Sequence, residues 1–285
     1  MKKTNQYLSI GVAIVAIVFV LLMAFSAAGP ALSARFTSLF AAASTPIPPP
    51  GEAIPLKPIS GLTSLTATVN IDVNGTINGK RAKGDLTAEV AMNDQKKSKV
   101  TVSGSLLGDI VAQVGGSVVG LFTPKTVDLY KTPEGAYIVI NSLIPICVKP
   151  KTTQSTADLD NMSPQSLLSM LTSSDVARGK FVGDEKLNGV AVKHYIINGE
   201  AFLAAAQKST DPKLKAFGEA LWSAEDADLY VDAKGGYPIA YSGSFSGAYE
   251  PLKFEGDFDV QIELTSVNTN PTVTLPAACN KPITP

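Results

Sequence analysis

The sequence predicts an α+β fold: one large, curled antiparallel sheet, a half-barrel whose concave apolar face is covered by helices. Three observations predict it. From residue 65 onward, apolar residues recur at every second position over long runs, the mark of strands with one wet and one apolar face. Asn-Gly and Gly-Gly pairs punctuate these runs where hairpins need positive φ. Only a few segments break the alternation with helical spacing, too few to form a layer of their own, so they must lie on the sheet.

The 285 residues are 45% hydrophobic and 17% charged with a net charge of -1, which offers no basic field for nucleic acid. Lys2 and Lys3 precede an apolar run over residues 9–28, and no further charge appears before Arg35. A helix of that length spans about 30 Å, the thickness of a bilayer's hydrocarbon core. Lysines on its N-terminal side place the body outside the cell. Residues 1–34 are therefore a signal anchor or a signal peptide, cut in the second case after Ala28 or Ala34. The run exceeds the usual length of a signal peptide's apolar core, which favours the anchor. Both readings put the body in the cell envelope, outside the cytoplasm, membrane-anchored or secreted. Residues 35–57, with Pro46, Pro48, Pro49, Pro50 and Pro55, form an extended stem. Residues 58–285 remain as one domain.

Within that domain, residues 65–73 alternate without exception, odd positions apolar and even positions polar. Leu86, Ala88, Val90 and Met92 continue the apolar face in a second strand, with Val100 and Val102 in a third. Asn74-Gly75, Asn78-Gly79 and Asn93-Asp94 supply the turns. A second half repeats the pattern: residues 180–185 and 190–197 flank Asn188-Gly189, and residues 227–232 and 237–246 flank Gly235-Gly236. In the last strand Phe254, Gly256, Phe258, Val260, Ile262 and Leu264 alternate with Glu255, Asp257, Asp259, Gln261 and Glu263. That acidic stripe reads as a solvated outer face. About nine to eleven strands are expected, enough for the sheet to curl.

Ser163-Pro164 opens the first helix, with Leu167, Leu168, Met170 and Leu171 on one side. Residues 200–207 form the second. Asp211-Pro212 opens the third, ahead of Leu214, Phe217 and Leu221-Trp222. Residues 106–122, apolar and glycine-rich, read as a bent helix or a mobile flap. Cys147 and Cys279 are the only cysteines, and in an oxidising compartment such a pair bridges, fastening the C-terminal tail to mid-domain.

Catalytic motifs are missing. The single His194 shares a phase with Val190, Val192 and Ile196, the pattern of a hydrogen-bonded core histidine, with contact to a ligand headgroup as the alternative. There is no Gly-x-Ser-x-Gly elbow, no phosphate loop and no two-histidine zinc motif. Asp158, Asp160 and Asn161 lack the glycine and distal glutamate of a calcium loop. No enzyme activity, cofactor or metal is expected. Small residues on the apolar phase (Ala67, Ala88, Gly243, Gly247, Gly256) leave volume unless larger groups fill it. The concave face is therefore either a packed core or a lipid cavity, with residues 106–122 as lid in the second case. Strand phase puts Val69, Ile71, Leu86, Ala88, Val90, Met92, Val100, Ile239, Phe245, Phe258 and Val260 on the candidate cavity wall.

Residues 61–69, Lys83-Gly-Asp-Leu-Thr-Ala88, Asp128-Leu-Tyr-Lys131 with residues 135–139, residues 166–171, residues 183–195, and residues 227–232 with Gly236-Tyr-Pro238 occur in an order that resembles the LppX/LprG-type bacterial lipoproteins, relatives of the LolA lipoprotein carrier. The resemblance spans residues 60–267. It implies a half-barrel closed by helices around a hydrophobic cavity, and a non-catalytic protein that binds acylated lipid or glycolipid for transport or presentation in the envelope. This chain lacks the lipobox cysteine of that family, which favours a tethered protein over a shuttle. The alternative is a sensor or scaffold of the same fold that engages an envelope protein partner.

Overall fold

The computed structural model describes residues 51–59, 62–95, 97–108, 124–149, 164–249 and 253–283. The apolar run 9–28, the stem before residue 51, residues 109–122 of the expected flap and the Asp158–Asn161 segment lie outside these.

The strands are β1 (Glu52–Ala53), β2 (Leu65–Ile77), β3 (Lys80–Met92), β4 (Ser98–Ser103), β5 (Thr126–Thr132), β6 (Gly135–Asn141), β7 (Ile146–Val148), β8 (Arg178–Leu187), β9 (Val190–Ile197), β10 (Leu221–Ala224), β11 (Ala227–Asp232), β12 (Pro238–Tyr249) and β13 (Phe254–Val267). All belong to one 13-stranded sheet in the order β1-β8-β9-β11-β12-β13-β2-β3-β4-β5-β6-β7, with β10 alongside β12. It is antiparallel and open, with β1 and β7 at its edges. The count exceeds the expected nine to eleven because β1, β7 and β10, of two, three and four residues, are too short to show a period.

Asn74-Gly75, expected to turn, instead lies inside β2, where Gly75 pairs with Gly256 and Ala82, and the turn falls at the next Asn-Gly pair. Asn78-Gly79 and Asn188-Gly189 take the paired positive φ values of tight hairpin turns (51° and 73°; 49° and 83°). After β3, the Asn93 side chain accepts hydrogen bonds from the backbone N–H groups of Gln95 and Lys97, closing the loop to β4.

Three α-helices lie wholly within the described residues, α1 (Pro164–Leu171), α2 (Gly199–Gln207) and α3 (Pro212–Ala220), and a short 3-10 helix follows at Ala277–Asn280. Asn198 caps α2 by accepting from Ala201 N, and Asp211 caps α3 by accepting from Lys213 N and Leu214 N. The third helix is shorter than the spacing predicts. Leu221 turns extended (φ -97°, ψ 143°), and Leu221 and Trp222 enter β10. The helices pack mainly on the side of the sheet formed by β10, β12, β13 and β2.

Strands β5 and β6 are buried on both faces, which explains the unbroken apolar run Ala136–Ile140. Their inner side joins the main core. Their outer side forms a second cluster, in which Tyr130, Tyr137 and Val139 meet Val273 and Cys279 of the C-terminal segment. That segment is held by the Cys147–Cys279 disulfide (Cα–Cα 5.2 Å), across 132 residues of chain, and by a parallel bridge between Val148 and Ile283.

The folded unit also starts earlier than residue 58. Glu52 and Ala53 pair with Gly179 and Arg178, and Ile54 is buried with its N–H donating to Ala177 O. The last residues of the expected stem are thus a sheet edge. Their prolines had pointed to an extended chain, and an extended chain is what an edge strand requires.

Candidate functional site

Cross-strand register assembles the expected wall residues on one face. Val69 stands opposite Ala88 and Ile262, Ile71 opposite Leu86 and Val260, Val90 opposite Val100, and Phe245 opposite Phe258. Together with Ile239 and Met92, all eleven belong to or pack against one hydrophobic cluster running over β12, β13, β2, β3 and β4. Period-two alternation held over thirteen residues leaves no other outcome, since slipping the register by one would turn every apolar side chain outward. Leu106 and Leu107, the start of the expected flap, join the same cluster at 3% and 1% exposure.

At its β12 end this face carries an aromatic group. Phe245 packs against Phe217 of α3, Phe258 of β13 and Phe202 of α2, with ring centroids 5.2, 5.5 and 5.9 Å apart. Phe254 adds an edge-on contact to Phe258 at 6.2 Å. Rings in these tilted and T-shaped arrangements hold the helices to the sheet by more than buried area.

The glycines on this face do not leave room, contrary to the expectation from their size. A Cβ on Gly256 would lie 2.5 Å from Gly75 Cα, and one on Gly247 would lie 2.6 Å from Ala220 O. Gly256 pairs with both Gly247 and Gly75, so three strands meet backbone to backbone along one glycine row. Gly256 also has φ +153°, a conformation that disfavours any Cβ. These residues permit close approach of strands where the sheet bends. Gly243 is covered by Tyr241, whose hydroxyl would stand 2.9 Å from a Cβ there. That hydroxyl is fully buried without a hydrogen-bond partner, and burial pushes its pKa far up.

On the opposite face the acidic stripe is solvated, as expected: Glu255, Asp257 and Asp259 are exposed. Register adds a feature invisible in any single strand. Asp259 faces Asp72, which faces Asp85. Asp85 accepts hydrogen bonds from the hydroxyl (2.7 Å) and backbone N–H of Ser105, which hold its carboxyl below the ordinary carboxylate value. Among the described residues, no three of His, Cys, Asp and Glu stand close enough to hold a metal ion.

His194 shares a face with Tyr230, its cross-strand neighbour, and stacks on that ring at 4.5 Å. The expected hydrogen bonds are present, but the partners are charged and the setting is not the main core. One ring nitrogen lies 2.8 Å from Glu185 and the other 2.7 Å from Asp228, with the histidine side chain 12% exposed. Burial alone would lower its pKa; the hydrogen bonds and charges of Asp228 and Glu185 outweigh that and raise it. Both nitrogens donate in the imidazolium form, leaving neither free to act as a base. Strand phase found His194's neighbours on β9; the carboxylates come from β8 and β11, which only pairing brings together.

No protein-family model matches this chain, and no curated protein matches it. Among solved structures, it is similar to a putative outer membrane lipoprotein-sorting protein domain from Vibrio parahaemolyticus (8% identity, 74% of this chain and 88% of that one, TM-score 0.23). It is also similar to a DUF1329 family protein from Desulfovibrio piger (9% identity, 74% and 88%, TM-score 0.24). A third likeness, to PNGF-II, covers 76% of this chain and 30% of that one (9% identity, TM-score 0.23). Among the described residues, no helix is long and apolar enough to cross a membrane.

Proposed function

We propose that this protein is a non-catalytic lipid-binding domain of the cell envelope, which holds acylated lipid or glycolipid against the concave apolar face of its sheet for transport or presentation. The observation that carries the reading is the continuous apolar face running from β12 to β4, on which all eleven wall residues meet. An alkyl chain lying on such a face gains about 0.8 kcal/mol per buried CH₂. The order of motifs resembling the LppX/LprG-type lipoproteins supports the same reading. Backbone occupies the glycine row, so the ligand would lie against the larger wall residues and not at those glycines.

Extraction of the purified full-length protein, followed by lipid mass spectrometry, tests the proposal. A stoichiometric acylated lipid is the expected result, displaced by a fluorescent fatty-acyl probe. Ala88→Phe, which adds a ring between Val69 and Val102, is expected to weaken probe binding. A protein that carries no lipid and binds no probe refutes the reading.

A further inference from the structure

Tyr241 brings a hydroxyl to the middle of the concave apolar face. Ile239, Tyr241, Gly243 and Phe245 alternate along β12, so all four positions fall on that face. Tyr241 stands opposite Leu229 on β11 and Ile262 on β13, and Ile262 stands opposite Val69 on β2. On its own strand it lies between the wall residues Ile239 and Phe245. Its side chain is among the largest of the fully buried ones, at 1% exposure.

Gly243 decides where the hydroxyl goes. A Cβ at that position would lie 3.0 Å from the Tyr241 ring, 2.9 Å from its hydroxyl and 3.2 Å from the Ala227 Cβ. With no side chain there, the ring lies along β12 and carries its oxygen over Gly243, on the side of Phe245. Gly243 pairs with Val260, Val260 with Ile71, and Ile71 with Leu86. The oxygen therefore sits at the head of a row of three wall residues. The eleven wall residues have no N–H or O–H in their side chains, and among the described residues nothing bonds to this buried hydroxyl.

A buried hydroxyl without a partner bears the whole cost of its desolvation, and few such groups occur in native proteins. Water is a poor partner here. A buried water needs two to four polar groups, and the ladder N–H and C=O groups of this region are engaged between β11, β12 and β13. We infer that the Tyr241 hydroxyl donates a hydrogen bond to the carbonyl oxygen of a neutral acyl ester, so that the concave face distinguishes esterified lipid from a plain alkyl chain. An ester carbonyl accepts and brings no donor of its own, whereas an amide would bring an N–H in need of a second partner. A free fatty acid would bring an ionised carboxylate into an apolar core. The inference rests on the lipid-binding reading and adds the group that such a lipid must carry.

The test uses the full-length, delipidated protein and two glycerolipids with chains of equal length, dioctanoylglycerol and its dioctyl ether. Each displaces diphenylhexatriene, a fluorescent hydrocarbon. In the wild-type protein the diester should displace about three- to tenfold better than the diether, the worth of one hydrogen bond. Tyr241→Phe should erase that preference by weakening the diester, with the diether unchanged. The lipid-free variant should unfold in urea at the same concentration as wild type or a higher one, because phenylalanine removes an unpartnered oxygen and keeps the ring. Equal displacement by both lipids in wild type, or a preference that survives in Tyr241→Phe, overturns the inference and leaves the lipid-binding reading standing. A lipid-free variant that unfolds at lower urea also overturns it, since the hydroxyl would then have a partner inside the protein. A protein that binds neither diphenylhexatriene nor glycerolipid refutes the lipid-binding reading itself, and this inference with it.

Discussion

Gly256→Ala separates two physical accounts of the concave face. If the glycines there leave space for a ligand, a methyl group is accommodated and the fold keeps its stability. The geometry requires the opposite. The new Cβ would sit 2.5 Å from Gly75 Cα and 2.6 Å from Asn74 O, both backbone atoms of a paired strand. Neither can swing aside as a side-chain end would. Forcing strands apart in a packed region costs about 1–3 kcal/mol, and holding a non-glycine residue at a sparsely populated φ costs about 1–3 kcal/mol more. The expected loss is about 3 kcal/mol, which lowers Tm by about 6–12 °C for a domain of this size. Urea unfolding monitored by circular dichroism reads the loss directly. Gly183→Ala is the control: its Cβ meets nothing within 4 Å, and its φ is not in the disfavoured range. It should be neutral or slightly stabilising. A Gly256→Ala protein within about 0.5 kcal/mol of wild type, the range of an ordinary surface change, refutes the close-approach account.

The disulfide closes a long loop, so Cys147→Ser with Cys279→Ser should cost about 2–5 kcal/mol. Hydrogen exchange should show residues 273–283 losing protection first, because the tail covers β5–β7 through that bond. His194 has a raised pKa in the folded protein, so its contribution is complete below the unfolded value near 6.5 and is lost as pH rises through the folded value. The stability gap between wild type and His194→Gln should therefore shrink with rising pH in parallel urea titrations; a gap that widens refutes the carboxylate pairing. Phe245→Ala removes the ring shared by α2, α3 and β13, with an expected cost of about 3–5 kcal/mol by the same unfolding assay. Asp211→Ala removes the α3 cap and should cost about 1 kcal/mol.

Much of this architecture is legible in single segments. Residues 65–73 alternate so strictly that strand, facing and burial follow together, and Asn78-Gly79 and Asn188-Gly189 specify their turns by local sterics. Asn198 and Asp211 cap helices by reaching backbone groups two or three residues away, an interaction written within one turn of chain. What escaped was what depends on a second strand. Gly256 reads as missing volume until Gly75 is placed opposite it. His194 reads as a core histidine until β8 and β11 bring Glu185 and Asp228 to its two nitrogens. Leu143 and Ile144, exposed at the β6–β7 turn, gave no signal at all, because exposure is a property of the surroundings.

By itself the sequence determined periods, turns, caps and the pairing of two lone cysteines, because each is decided by forces acting over a few residues or by the absence of any other partner. Only the tertiary structure decided which glycines are contacts, which charges meet and which apolar side chains stay wet. Those outcomes depend on groups tens to hundreds of residues apart, and pattern along one chain carries no record of the distance between its strands once they are folded.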